Sequence, residues 1–519
     1  MSRLKVYSKL GTTQIQQGVL VLILLVALGF RLWGIGFGLP YLYHPDEAAL
    51  ISPAIHTVQT GDWSPHFFHY PSFFHHSLAF LYIAYFVLGV SAGTFTSVQD
   101  LSSPQMVALG TGQIDYPSEV LVGRLISAVS SLVVVFVVYK IGLLNGKRTG
   151  LLAAASVTIS PTLVYLSHWV TVDMTGIAWV AISLLFAIQI AYNPKWTGYI
   201  FGGIAAGLAA ATKYPLILVA VGLVSAHCIS HPVKQWLNRK LLIGITLVPI
   251  TFLVMTPYVF LELPDFLNGL AFSIAHYSRL GHAGMEGNSL QWYLSYIIRQ
   301  EGLLPFLSLP ALIWAIHTKN KVGVVLSVTS AVYFTLIARQ LVRNDRTLAP
   351  IIPILIILGS MFAVACFKML HKHIGQRYGK ATYILTGLTL SLLIIIPLWN
   401  SVKYNFLLSQ EDGRDKARIW LETNVAPGSK IVLENYTPFL DSSRYEVTYI
   451  GPLEQNSPDW YQQEGFDYIV FSSAAHGRFY SDPERYASQV ESYNKLFAEF
   501  PPIQEFSGGF TTIKISQIQ

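Results

Sequence analysis

Apolar runs of near-spanning length follow one another along the first 400 residues, at about 16–36, 119–141, 149–167, 172–192, 197–212, 214–230, 241–260, 302–317, 322–338, 347–367 and 381–401. A bilayer core takes roughly 20 apolar residues per helix, so this pattern predicts about 11 membrane-crossing helices. Short basic connectors separate alternate pairs: Asn145-Gly-Lys-Arg148, Asn193-Pro-Lys195, His231–Lys240, Lys319-Asn-Lys321 and Lys368–Lys380. The excess of Lys and Arg in cytoplasmic loops assigns these connectors, with the basic N-terminus (Arg3, Lys5, Lys9), to the cytoplasm. The apolar run after that N-terminus lacks a small-residue cleavage site and continues into Arg31 and Trp33, which reads as an uncleaved first span. Phe73–Val90 is apolar enough to cross but carries His75 and His76. Were it a crossing, every later basic connector would lie outside, so it is expected to lie along the interface or re-enter.

The pattern changes at about Ser409, where the chain becomes charged and turn-rich. Glu411–Asn424 predicts a helix closed by Ala426-Pro-Gly-Ser429; Lys430–Leu433, Asp467–Phe471 and Thr511–Ser516 predict strands, and Asp482–Phe500 a second helix. The expected organisation is an all-α polytopic membrane domain over residues 1–403, with a first outer loop at 37–118, and a small α/β domain over 404–519. An odd number of crossings places that α/β domain outside the cell, in a multi-pass protein of the plasma (inner) membrane. No nucleotide-binding glycine loop occurs in the α/β domain.

Composition agrees with a membrane class. Of 519 residues 52% are hydrophobic and 12% charged, about half the charge of a soluble domain, and the mean hydropathy is +0.47. The net charge of +6 divides unevenly: Tyr404–Gln519 carries 16 acidic against 9 basic residues, leaving +13 on the preceding 403. Basic residues placed in alternate connectors set topology and do not argue for a nucleic-acid partner. Cys228 and Cys366 lie in separate apolar segments and form neither a disulfide framework nor a metal spacing. In this topology all 12 acidic residues before position 404 fall on the outer side. Carboxylates near a bilayer are costly unless paired, solvated or functional, so the outer face is the place to look for chemistry.

The first outer loop opens with Leu39-Pro-Tyr-Leu-Tyr-His44-Pro-Asp46-Glu47 and continues to Gly61-Asp-Trp-Ser-Pro-His66-Phe-Phe-His69-Tyr70-Pro71. Two adjacent carboxylates repel, and partial desolvation is expected to raise the pKa of at least one, as suits a general base. The simpler alternative is that Asp46 and Glu47 only cap the helix beginning at Ala48. Asp173, where Thr171-Val-Asp173 opens an apolar run, is open to the same two readings. Lys213 lies between two apolar runs before the helix-breaking Tyr214-Pro215, to contact an anion or to snorkel to the interface. Arg339, Arg343 and Arg346 crowd one outer connector against the positive-inside bias; a phosphate or anionic lipid headgroups would balance them, and Asp345 can neutralise only one. Arg124 is expected to be structural, paired with an outer acid such as Glu119. His44, His56, His66, His69, His75 and His76 are dense in the first loop but match no compact metal motif.

These elements in this order resemble the GT-C superfamily of polyprenyl-phosphate-sugar-dependent glycosyltransferases, in the glycosyltransferase family 39-like branch of protein O-mannosyltransferases and aminoarabinose transferases. The matching motifs are Tyr43-His-Pro-Asp46-Glu47, Gly61-Asp62-Trp63, Val122-Gly-Arg124-Leu-Ile-Ser127, Val172-Asp173 after Ser160-Pro161, and Ala211-Thr-Lys213; an arginine at the position of Arg346 precedes the Pro-containing span at Leu348-Ala-Pro350. The resemblance covers roughly residues 17–400. It implies a GT-C-like membrane core, inverting transfer of a sugar from a polyprenyl-phosphate carrier to a hydroxyl of a protein, lipid or glycan, and no nucleotide-sugar site. Asp46 would be the catalytic base, Glu47 its tuning neighbour and Asp173 a second acid near the site; Lys213, Arg343 and Arg346 would hold the donor phosphate. His44, His69, Tyr70 and Glu262 are candidate cavity residues. Some members of the superfamily use a divalent metal, but no ligand set is assigned here. The rival classes are a transporter or flippase of lipid-linked sugars, which should carry midplane ionisable groups and internal repeats, and a non-catalytic binder. No internal repeat is found, and the acids gather at one surface.

Overall fold

The computed structural model describes residues 14–373 and 375–518, so the basic N-terminal residues Arg3, Lys5 and Lys9 lie outside the described residues. Six helices among the described residues are long and apolar enough to cross a membrane, and Tyr214–Ser230, Leu303–His317 and Lys321–Ile337 are shorter apolar helices. The protein is an integral membrane protein. The first span is helical over Gln14–Leu32 and then unwinds through turns to Pro40. Gly34 and Gly38 take φ of 88° and 76° there, a left-handed backbone that disfavours side chains. Phe73–Ser91 is a continuous helix, among those of spanning length and apolarity.

The helices pack closely where small residues face each other. A Cβ on Gly203 would stand 2.2 Å from the Gly244 carbonyl oxygen, so the Trp196–Thr212 and Arg239–Met255 helices meet backbone to backbone. The helix after Lys147 stops at Thr158 before Ser160-Pro161, exposing carbonyls that lipid cannot satisfy. Fully buried Arg31 takes up this duty: its guanidinium donates to the carbonyls of Thr158 and of Val157 (3.2 Å), and to Ser131 Oγ (3.0 Å).

The basic connectors are tied together at one end of the bundle. Asn320 Nδ2 donates to Asn145 Oδ1 (2.8 Å), Lys321 Nζ to the Ala191 carbonyl (2.6 Å) and Lys240 Nζ to the Pro194 carbonyl (2.8 Å). The opposite end carries the loop over residues 37–118. Its helices Pro45–Thr60 and Phe73–Ser91 pack on each other around Ile51, Ile55, Phe74 and Leu78. A small antiparallel sheet of strands β1 (Tyr41–Leu42), β2 (Gln105–Ala108) and β3 (Thr111–Gln113), in the order β1-β3-β2, closes the loop. Strands of two to four residues leave no readable alternation, which is why the sequence pattern does not announce them.

Beyond the last membrane helix, which runs to Leu408, the α/β domain begins with the helix Gly413–Asn424. Strands β4 (Lys430–Leu433), β5 (Glu446–Tyr449), β6 (Tyr468–Ser472), β7 (Pro502–Gly508) and β8 (Thr511–Gln517) form one sheet in the order β5-β4-β6-β8-β7. β5, β4 and β6 are parallel, and β8 and β7 extend the sheet antiparallel. The central strands are covered on both faces, so Ile431-Val-Leu433 and Ile469-Val-Phe471 are continuous buried apolar runs that the sequence makes visible. Of the edge strands, β5 is half-buried and β7 largely exposed, and both escape the same reading. The helix expected over Asp482–Phe500 spans Ala487–Glu499.

Candidate active site

Four ionisable side chains from four distant segments meet at the end of the bundle away from the basic connectors. Asp46 is the second residue of the Pro45–Thr60 helix; Pro45 begins it, and His44 Nδ1 accepts from the Asp46 amide (3.2 Å) as its cap. A carboxylate in the first turn is favoured by the amide dipoles of the helix. Asp173 holds the same place in the Val172–Tyr192 helix. Lys213 stands in extended conformation at the break between the helix ending at Thr212 and the 3-10 turn Tyr214–Val219; Pro215, which has no amide N–H, cannot continue the preceding helix. Arg346 lies in the short helical turn Asp345–Leu348, capped by Asn344 Oδ1, which accepts from the Thr347 amide (2.8 Å).

The guanidinium of Arg346 is the hub. Its Nε donates to Asp173 Oδ2 (2.8 Å), one terminal nitrogen donates to Asp46 Oδ2, and the other reaches the Tyr70 hydroxyl (3.4 Å). Asp173 Oδ1 accepts from Lys213 Nζ (2.8 Å). Two carboxylates thus face two cations. The Asp173 and Lys213 side chains are only 2% and 9% exposed, whereas Asp46 keeps 26% and Arg346 18% of their surface open. Asp46 and Arg346 are therefore the more accessible pair, with the buried Asp173 and Lys213 behind them.

Burial pushes the Asp46 carboxyl up, but Arg346 and then His44 outweigh it and hold it below the ordinary carboxylate value. The raised pKa expected from an adjacent acid is not found at Asp46. Desolvation keeps His44 predominantly neutral at pH 7 and raises the Tyr70 phenol, which stays protonated.

Glu47 is not part of this group. Its side chain is wholly buried, and both oxygens accept from Arg124 (Nε and a terminal nitrogen, each 2.8 Å), while Oε1 also accepts from the Val170 amide (3.1 Å). The same guanidinium donates to the carbonyls of Ile35 and Phe37. Glu47 pins the first loop to the helix carrying Arg124, one residue from Asp46 and facing away from it, because consecutive residues of a helix point about 100° apart. The expected Arg124–Glu119 pair is accordingly replaced: Glu119 instead accepts from Ser102 Oγ and its amide (2.8 Å). The expectation that Asp345 neutralises one of the outer arginines also changes. Asp345 accepts from the Arg346 amide (2.8 Å), and the guanidinium goes to Asp46 and Asp173.

The remaining candidates separate. Arg343 donates to the Asn288 carbonyl (3.3 Å) and packs over Gly287; among the described residues it makes no ion pair with Asp46 or Asp173. The His69 ring stacks on Phe272 with centroids 4.5 Å apart. Glu262 stands 4.0 Å from His66, which pairs with Asp62 (2.9 Å). His44 and Tyr70 do join the site. Trp169 was missed: its ring lies 4.7 Å from that of His44 and under the Arg124 guanidinium. Its sequence signal was an aromatic interruption, His168-Trp169, just ahead of Asp173. Among the described residues no group of three or more His, Cys, Asp or Glu side chains is placed to hold a metal ion.

The apolar helices, the loop helix that carries an acid in its first turn and the C-terminal α/β domain together make up a GT-C-like fold. The family model for dolichyl-phosphate-mannose-protein mannosyltransferases matches residues 117–260, which include Asp173 and Lys213. Among solved structures, the chain is similar to ArnT from Cupriavidus metallidurans bound to undecaprenyl phosphate, at 15% identity and a TM-score of 0.53, covering 96% of this chain and 98% of that one. It is also similar to the oligosaccharyltransferase AglB from Archaeoglobus fulgidus in complex with an inhibitory peptide and a dolichol-phosphate, at 12% identity and a TM-score of 0.54, covering 94% and 72%. No curated protein sequence matches the chain. The GT-C fold expected from the motif order is the fold observed.

Proposed function

We propose that this protein is an inverting glycosyltransferase that moves a sugar, a hexose or pentose, from a polyprenyl-phosphate carrier to a hydroxyl acceptor on a protein, lipid or glycan. Asp46 takes the acceptor proton as the hydroxyl attacks the anomeric carbon. The carbon–oxygen bond to the phosphate breaks, and the lipid phosphate leaves with the electron pair. A phosphate ester needs no protonation to depart, so fixed cations at the leaving oxygen supply much of the rate. Arg346, backed by Lys213, is suited to that role. The observation that carries this reading is the shared guanidinium: the partly open Asp46 and the candidate phosphate ligand Arg346 already touch, so acceptor and leaving group would be held a few ångströms apart.

Phosphate binding would compete with Asp46 for Arg346 and loosen the carboxylate as the donor arrives. The active end faces away from the connectors rich in Lys and Arg, which under the positive-inside rule supports an extracytoplasmic site and α/β domain. A carrier would place its ionisable groups near the bilayer midplane; here they sit at helix ends on one side, which favours the enzyme over a flippase.

The test uses the purified full-length protein with a panel of undecaprenyl-phosphate-linked hexoses and pentoses, and measures release of undecaprenyl phosphate in the presence of acceptor extracts. At least one donor should turn over, and Asp46→Asn should lower turnover by about 100- to 10,000-fold. Turnover by Asp46→Asn at the wild-type rate would falsify the assignment of the base.

A further inference from the structure

Two of the contacts between the α/β domain and the first outer loop lead to the segment that delivers Asp46. The first is an ionic and aromatic clasp. The Tyr43 hydroxyl donates to Asp415 Oδ1, and the Arg414 guanidinium, itself paired in two hydrogen bonds with Asp412, lies 3.5 Å over the Tyr43 ring. Arg418 lies 4.6 Å over the neighbouring Tyr41 ring. All three α/β-domain residues, Arg414, Asp415 and Arg418, belong to the helix Gly413–Asn424.

The second contact is at the carboxyl ends of parallel strands β4 and β6. In open α/β sheets that point, where neighbouring connections leave in opposite directions, is the usual ligand crevice. Here it is plugged by the tip of the β2–β3 hairpin. The Tyr436 amide donates to the Leu109 carbonyl (2.8 Å), and Thr111 Oγ1 donates to the Thr437 carbonyl (2.9 Å). A Cβ on Gly110 would stand 2.1 Å from the Tyr436 ring, so only glycine admits this approach. Strand β3 of the hairpin then pairs with β1, Tyr41 with Gln113 and Leu42 with Gly112. From β1 the chain passes through Tyr43 and the cap His44 to Asp46.

We propose that the α/β domain sets the position of Asp46 through Tyr43, with Asp415 and Arg414 as positioning residues, so that the crevice of this domain serves the transfer site by binding the loop. The inference rests on the proposed role of Asp46 as the base. Tyr43 is buried between Phe37 and Arg414. Only His44 and Pro45 separate Tyr43 from Asp46, too few for the helix start to move independently of the clasp.

The experiment compares Tyr43→Phe, Asp415→Ala, their double variant and Asp415→Asn in the full-length protein, with undecaprenyl-phosphate release from the best donor of the panel as the rate. Binding of undecaprenyl phosphate itself is the second readout. Tyr43→Phe and Asp415→Ala should each lower kcat about tenfold, the equivalent of one hydrogen bond, and the double variant should fall no further. Asp415→Asn, whose amide oxygen still accepts, should restore the rate, and undecaprenyl phosphate affinity should be unchanged throughout. Wild-type kcat in both single variants, multiplying losses in the double, or affinity falling in step with kcat would overturn the proposal. Loosened folding would appear as a lowered melting temperature that Asp415→Asn does not restore, which also overturns it. Failure of the base assignment is read separately, from Asp46→Asn turning over while Asp415→Ala is still measured on its own.

Discussion

Arg346 Nε lies 2.8 Å from Asp173 Oδ2, although the two residues are 173 positions apart, and the same guanidinium holds Asp46. A buried acid fixes the arginine, and the arginine fixes a second acid that remains open to solvent. This relay makes separate predictions for each member.

Asp46→Asn keeps the size of the side chain and removes the proton acceptor. Turnover should fall by about 100- to 10,000-fold, the usual worth of a general base. Undecaprenyl phosphate binding should hold or tighten, because Arg346 loses a competing carboxylate. Isothermal calorimetry alongside turnover separates the two effects; weakened binding would contradict the competition.

The pH profile follows from the depressed Asp46 carboxyl. A base whose pKa is lowered stays ionised, and active, above that pKa, and activity is lost only as pH falls through it. In the wild type the acid limb of kcat/KM should therefore lie below the ordinary carboxylate range. Arg346→Gln removes the main lowering influence and leaves burial, which raises the carboxyl, so the limb should move to higher pH. An unmoved limb in Arg346→Gln would mean that the titrating group is not Asp46.

Glu47 should behave as a structural residue. Removing one partner of a buried ion pair costs about 3–5 kcal/mol, so Glu47→Ala and Arg124→Ala should both lower the melting temperature in detergent steeply. A Glu47→Ala protein with wild-type melting and no turnover would return Glu47 to the chemistry.

Topology can be read by cysteine labelling in a Cys228→Ser/Cys366→Ser background. Thr60→Cys and Ser97→Cys flank the helix Phe73–Ser91. An interfacial or re-entrant segment exposes both to an impermeant maleimide from one side, the side opposite Lys195→Cys. Labelling of Thr60→Cys and Ser97→Cys from opposite sides would make the segment a crossing and reverse the parity of every later span.

Much of the architecture was legible because its signals are local. The apolar runs at 119–141 and 172–192 became the helices Pro117–Asn145 and Val172–Tyr192, since a span needs only length and apolarity. The helix break at Tyr214-Pro215 was legible from proline's missing amide, whereas the expected span 16–36 ends at Leu32 and the expected span 149–167 is divided between Thr158 and Pro161. Central strands β4 and β6 were visible as apolar runs, and the edge strands were not, because an edge has one neighbour and little to bury. Motif order brought Asp46, Asp173, Lys213 and Arg346 forward as candidates.

Partnership was decided by the tertiary structure alone. Asp46 and Glu47 are adjacent and chemically alike, yet one turns to Arg346 and the open site while the other is buried against Arg124. Arg343 and Arg346 share a connector, and only Arg346 reaches the acids. Apolar periodicity encodes which residues leave water, a property each residue carries by itself. Which cation meets which carboxylate depends on where four segments far apart in the chain converge, and the direction of each side chain there is set by helix packing that no single segment contains.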